Sequence, residues 1–164
     1  MADTSGFLRR LAPASRWILQ GGADALTAAA GAWSAGLPQA CRSASKGDHH
    51  ALWLGPSEFL LLAPPAADMA PLRQALGGVA HSLVDVSHRQ VGLEISGPDG
   101  ETLLAGGCAL DLDVSQFPVG MCTRTVFAKA DVVLWRTAPK VFHLEVWRSF
   151  ADYCTQLLEE IARG

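Results

Sequence analysis

"VGLEISGPDGETLLAGGCALDL", Val91–Leu112, holds an alternating apolar run, a Gly-Pro-Asp-Gly turn and a helical run that stops at two glycines. Val91, Leu93 and Ile95 share one face of an extended chain. Ser96 followed by Asp99 has the spacing of a capping box, and Pro98 suits a first helical turn. Gly106 and Gly107 end the predicted helix.

An earlier stretch repeats this order. "RWILQGGADALTAAAGAWSAGLP", Arg16–Pro38, predicts a strand at Arg16–Leu19, a glycine turn and an Ala-rich helix from about Ala23 to Trp33, which Pro38 bars from continuing. The match runs on. "CRSASKG" aligns with "CTRTVFAKA", with Cys41 and Cys122 offset by 81. "ALWLG" aligns with "VVLWR", with Trp53 and Trp135 offset by 82, and "EFLLLAP" with "VFHLEVW", with Phe59 and Phe142 offset by 83. Each half closes on an amphipathic helix, Met69–Leu76 and Phe150–Ile161. The second is expected to start near Ser149, with Phe150, Cys154, Leu157, Leu158 and Ile161 as its apolar stripe. The pattern is β-α-β-β-β-α, twice, over Ser15–Gly78 and Val91–Gly164. It predicts one domain spanning 1–164, of class α+β: two half-repeats sharing a core, mainly antiparallel sheet with helices packed on it.

The halves meet in "VDVSHRQ", Val84–Gln90. Val84 and Val86 lie on one face, and the apolar phase changes before Val91. Ser87, His88, Arg89 and Gln90 lie between, as polar residues at a joint where the chain leaves one half for the other.

The formal net charge of −3 speaks against nucleic acid as a partner. Charged residues make up 18% and apolar residues 49%, which fits either a surface covered by a permanent partner or an Ala-, Leu- and Gly-rich chain. No apolar run has the length of a membrane helix. Arg9 and Arg10 have no apolar region behind them, so no secretory leader is expected. Cys41, Cys108, Cys122 and Cys154 form no C-x-x-C pair and read as reduced, structural thiols of a cytoplasmic protein.

Three segments, "VDVSHRQVGLEISGPDGETLLAGGCALDLD", "FPVGMCTRTVFAKADVVLWR" and "FHLEVWRSFADY", resemble the γ subunit of heterotetrameric sarcosine oxidase, in the right order and from about Ser15 to Ile161. More distantly, "DVSH" followed by "SGPD" resembles the front part of the glycine-cleavage aminomethyltransferase family and its folate-binding relatives. The resemblance implies an aminomethyltransferase-like fold. It also implies membership of a complex that oxidises sarcosine to glycine, releases hydrogen peroxide and passes a one-carbon unit to tetrahydrofolate. By the same resemblance the α subunit carries NAD and the folate site. The β subunit carries FAD and covalent FMN, and a small δ subunit carries zinc. The resemblance implies no established active site on the γ subunit itself.

No catalytic, cofactor-binding or metal residues are therefore expected here. His88 allows an acid–base reading near a folate or flavin, or a purely local one at a joint. The histidines lack metal-ligand spacing, and no G-x-G-x-x-G follows a strand. The tryptophans (Trp17, Trp33, Trp53, Trp135 and Trp147) read as core or interface. Arg89, Arg124 and Arg148 fit either pairing with carboxylates of the α or β subunit or solvation. The expected interface is Ser87, His88, Arg89, Gln90, Arg124 and Arg148. The expected function is a non-catalytic γ subunit acting in assembly or stability. The alternatives are a free-standing folate-binding protein of aminomethyltransferase type and a homo-oligomeric assembly or repair factor.

Overall fold

The structure is a computed structural model and describes residues 6–164; the start of the stretch read for a leader, residues 1–5, lies outside them. In chain order the elements are β1 (Leu8–Arg10), β2 (Ser15–Gly21), α1 (Ala23–Ala32), β3 (Ser43–Lys46), β4 (His49–Gly55), β5 (Glu58–Ala63), α2 (Ala70–Leu76), β6 (His81–Asp85), β7 (Gln90–Ser96), α3 (Gly100–Ala105), β8 (Cys122–Phe127), β9 (Ala130–Ala138), β10 (Val141–Trp147) and α4 (Arg148–Arg163). The fold is α+β with two antiparallel five-stranded sheets. It forms two compact units, Pro13–His88 and the described residues up to Ala12 with Arg89–Gly164. Among the described residues no helix is long and apolar enough to cross a membrane.

In the Pro13–His88 unit the strand order is β3-β4-β5-β2-β6. Leu19, Ala51, Phe59 and Leu61 leave one face of the sheet and bury against α1 and α2 through Ala25, Ala29, Leu72 and Leu76. Small residues let α1 lie close: a Cβ on Gly21 would stand 2.5 Å from that of Ala25. Leu52, Leu60 and Leu62 leave the opposite face and are buried too.

In the other unit the order is β1-β7-β10-β9-β8. Leu93, Ile95, Leu134, Phe142, Leu144 and Val146 make the helix-facing surface, closed by Leu103 and Leu104 of α3 and Ala151, Cys154 and Leu158 of α4. Read from β8 and β3 inward, the two sheets have one strand order, and their ladders correspond. Leu19 pairs with Phe59 as Ile95 pairs with Phe142, and Ala51 with Leu61 as Leu134 with Leu144.

These ladders correct the alignment read from sequence. Phe142 stands where Phe59 does, but Arg136, not Trp135, stands at the place of Trp53. Trp53 pairs with Phe59 and Arg136 with Phe142. The Trp53 amide bonds the Arg42 carbonyl, and the Arg136 amide bonds that of Met121. Gly120, not Cys122, therefore matches Cys41; both have positive φ, 85° and 56°. Identical letters one or two residues apart misled the sequence reading, because a one-residue offset in a strand exchanges its faces.

Other expectations also shift. The run Val84–Ile95 is two strands joined by a turn over residues 87–89, which explains the change of apolar phase. β1 and β6, short edge strands, were not anticipated. The N-cap of α3 is Asp99 with no side-chain cap, so Ser96 forms no capping box. α4 starts at Arg148, one residue early, and Ala151 rather than Phe150 joins its buried face.

Just past α3, a Cβ on Gly107 would meet the fully buried Phe127 ring at 2.5–2.9 Å. Gly107→Ala is expected to cost about 1–3 kcal/mol in urea unfolding through overpacking. Gly31→Ala, in open space within α1, is expected to stabilise by about 0.5–1 kcal/mol. Equal effects would contradict the packing described.

Candidate functional site

The turn that opens the second half is built by Asp85 and Ser87. The Asp85 carboxylate accepts from the Ser87 amide at 2.9 Å and from its hydroxyl at 2.6 Å. The Arg16 amide donates to Ser87 Oγ at 2.8 Å. These hydroxyl and amide donors hold the Asp85 carboxyl below the usual carboxylate range. The contribution is present above that range and fades as pH falls through the lowered value. Solvent screens it, because Asp85 is exposed. Ser87 is thus a structural pin. His88 is exposed on the turn and lines neither hollow described below.

Arg89 and Gln90 start the other unit. The Arg148 amide donates to the Arg89 carbonyl at 2.7 Å, and Gln90 pairs with Trp147 in the β7–β10 ladder. The Arg89 guanidinium lies 5.4 Å from the centre of the Trp147 ring. Arg89, Gln90 and Arg148 therefore gather around Trp147, a residue the sequence offered only as core or interface. Arg124 does not join them. It lies on β8, three ladder steps from β7, or about 14 Å of sheet.

Arg136 was missed. It continues the core-facing alternation of Val132 and Leu134, opposite Phe142 in the ladder, and is wholly buried just before a β-bulge. Its guanidinium stacks 4.5 Å from the centre of Phe142, bonds the Glu101 carboxylate and donates to the Leu112 carbonyl at 2.8 Å. Its other donor atoms, Nε and Nη1, have no hydrogen-bond partner among the described residues. On the opposite face His143 Nε2 lies 2.7 Å from the buried Glu145 carboxylate. Gly92 leaves room for this pair: a Cβ there would stand 3.0–3.1 Å from both side chains. The polar letters of "HLEVW" at alternate positions were the available signal.

An open hollow of about 850 Å³ lies between the β7–α3 turn and the end of α4, floored by Phe7, Leu103 and Ile161 and rimmed by Asp99, Glu159 and Arg163. A smaller one, of about 370 Å³, lies along β1 beside Arg9 and Glu94. Neither gathers the donors of a phosphate cradle. Among the described residues no three His, Cys, Asp or Glu side chains converge as metal ligands.

All four cysteines are free; Cys41 is half-buried and the other three are buried. Burial pushes the Cys154 thiol up to about 11. Its neutral form therefore favours the fold below the ordinary thiol pKa, and this is lost as pH rises towards 11.

Two predictions follow from these groups. Glu101→Ala leaves the Arg136 cation buried without its carboxylate and is expected to cost about 2–3 kcal/mol. Arg136→Met, which removes the cation and keeps the volume, should cost less; the reverse order in denaturant unfolding would refute the buried-cation account. A thiol reagent at about pH 8 should label Cys41 alone in the native protein and four cysteines after denaturation. Rapid native labelling of Cys154 would contradict its burial.

Comparison with known proteins places this geometry. The family model described as "Sarcosine oxidase, gamma subunit family" matches residues 20–163. The sarcosine oxidase subunit gamma of Corynebacterium sp. (strain P-1) is 34% identical over 140 residues, 84% of this chain and 69% of that protein. The subunit gamma of Arthrobacter sp is 38% identical over 129 residues, 72% of this chain and 63% of that protein. Among solved structures, the heterotetrameric sarcosine oxidase from Corynebacterium sp. U-96, in complex with pyrrole 2-carboxylate, matches with a TM-score of 0.88 at 30% identity. That match covers 95% of this chain and 83% of the matched one. The glycine cleavage system aminomethyltransferase T from Bartonella henselae matches with a TM-score of 0.68 at 16% identity, over 92% of this chain and 44% of that one, a likeness of fold.

Proposed function

We propose a function from one premise: the chain belongs to the sarcosine oxidase γ subunit family. It acts as a non-catalytic subunit that completes and stabilises a heterotetrameric, flavin-dependent sarcosine oxidase. That complex turns sarcosine into glycine, releases hydrogen peroxide and passes a one-carbon unit to tetrahydrofolate. The observation that carries this reading is the TM-score of 0.88 over 95% of the chain to a chain of such a complex. The partners are the α and β subunits. FAD, FMN, NAD, tetrahydrofolate and zinc are held by other subunits, and this chain contributes surface rather than chemistry. The proposed compartment is the cytoplasm, supported by four free thiols.

The arrangement of charged groups agrees with this role. Its buried ones, Arg16, Arg136 and Glu145, are held within the units by backbone carbonyls or by His143. The residues left outward, Arg89, Arg148 and Trp147, are of the types that dominate protein interfaces. A free-standing folate-binding protein is the weaker reading, since the aminomethyltransferase likeness is at 16% identity and covers 44% of that chain.

Two measurements test the proposal. Purified alone, the chain should show no flavin absorbance and no calorimetric binding of tetrahydrofolate at about micromolar strength. Co-expressed with the α, β and δ subunits encoded in the same genome, it should co-purify with them, and its omission should lower the yield and melting temperature of the oxidase. Folate binding by the isolated chain, or an oxidase indifferent to its omission, would overturn the reading.

A further inference from the structure

We infer that Trp147, Phe150 and the guanidinium groups of Arg89 and Arg148 form a docking patch for an acidic segment of a larger, non-identical subunit, in which an apolar side chain is flanked by carboxylates. The inference rests on the subunit reading above and names what that subunit's surface takes.

Four consecutive residues, Trp147, Arg148, Ser149 and Phe150, are exposed where β10 passes into α4. Trp147 is 44% exposed and Phe150 37%, although both lie beside a well-filled core. Nothing about α4 requires Phe150 to face outward for packing. Its buried face is complete with Ala151, Cys154 and Leu158, and Phe150 instead meets the edge of Tyr153, ring centres 6.4 Å apart.

The patch is pre-ordered. The Trp147 backbone is held in the β7–β10 ladder and at the N-cap of a 16-residue helix. Arg89 is tied to Arg148 by the 2.7 Å backbone bond and rests on the Trp147 ring. A partner therefore pays little ordering entropy here.

Its charge selects the occupant. The first turn of α4 holds no acidic residue and has no side-chain cap, so the helix end adds to the positive field of Arg89 and Arg148. The nearest carboxylate along α4, Asp152, points to Arg10 at 3.7 Å. Among the described residues neither Arg89 nor Arg148 forms an ion pair, and arginine forks bind carboxylates bidentately. A second copy of this chain fits poorly: a two-fold contact centred on the patch sets Arg89 and Arg148 against their own counterparts.

The test uses the assembled complex, captured through a tag on this chain after co-expression with the α, β and δ subunits encoded in the same genome, and its dissociation on dilution. Arg89→Glu and Trp147→Ala should each weaken association by about thirtyfold or more. Lys140→Glu, the same charge change on the exposed β9–β10 turn, should leave it unchanged. Wild-type association should also weaken with salt. Melting curves of the isolated variants check folding; if Trp147→Ala melts early, Phe150→Gln takes its place. Wild-type affinity in all patch variants would overturn the inference and leave the subunit reading standing. Failure of the wild-type chain to assemble would overturn both. An isolated chain that dimerises, and that Arg89→Glu makes monomeric, would show a second copy as the occupant and overturn the inference.

Discussion

The pairing of Ile95 with Phe142, and of Leu19 with Phe59, fixes everything built on the two sheets. Each pair lies on the face that the helices close. A slip of one residue in either ladder would send Leu93, Leu144 and Leu134, or Leu61 and Ala51, to the wrong side. The ladders also decide where exceptions are tolerated. β-Bulges fall at one place in both sheets, after Val141 and at Trp53–Gly55. In one sheet the core-facing residue just before the bulge is a half-buried tryptophan, Trp53. In the other it is Arg136, which Glu101, Leu112 and Phe142 receive.

The same constraint produces the proposed docking surface. β10 runs straight into α4, with Trp147 as the last strand residue and the N-cap of the helix. Because the helix faces the core through Ala151, Cys154 and Leu158, the residues just before that face are turned out of it. Trp147 and Phe150 are left exposed by geometry, and the turn that follows β6 delivers Arg89 onto them. Rigid neighbours on both sides make this corner of the chain a surface with a fixed shape.

Much of this was legible in the letters. The fold class, the free cysteines and the family resemblance could be read from the apolar periodicity, the cysteine spacing and the three matching segments. What failed, failed for physical reasons. Trp53 was set against Trp135 and Cys41 against Cys122 because identity of letters outweighed strand phase, which bulges and loop lengths control. Ser96 looked like a cap, but the turn carried the N-cap on to Asp99. Arg136 in "VVLWR" reads as an ordinary strand-end arginine, although its alternation with Val132 and Leu134 puts it on the buried face. Arg124 was grouped with Arg148 by residue type, whereas sheet order places it three strands from β7. Phe150 was counted in the helical stripe, since an apolar residue one step off the buried face keeps nearly the same spacing.

The claim that this chain works by a surface is tested most directly by hydroxyl-radical footprinting of Trp147. It compares the isolated chain with the chain assembled with the other oxidase subunits. The account predicts ready oxidation of Trp147 in isolation and strong protection in the assembly, with the buried Trp33 protected in both. Equal oxidation of Trp147 in the two states would contradict it.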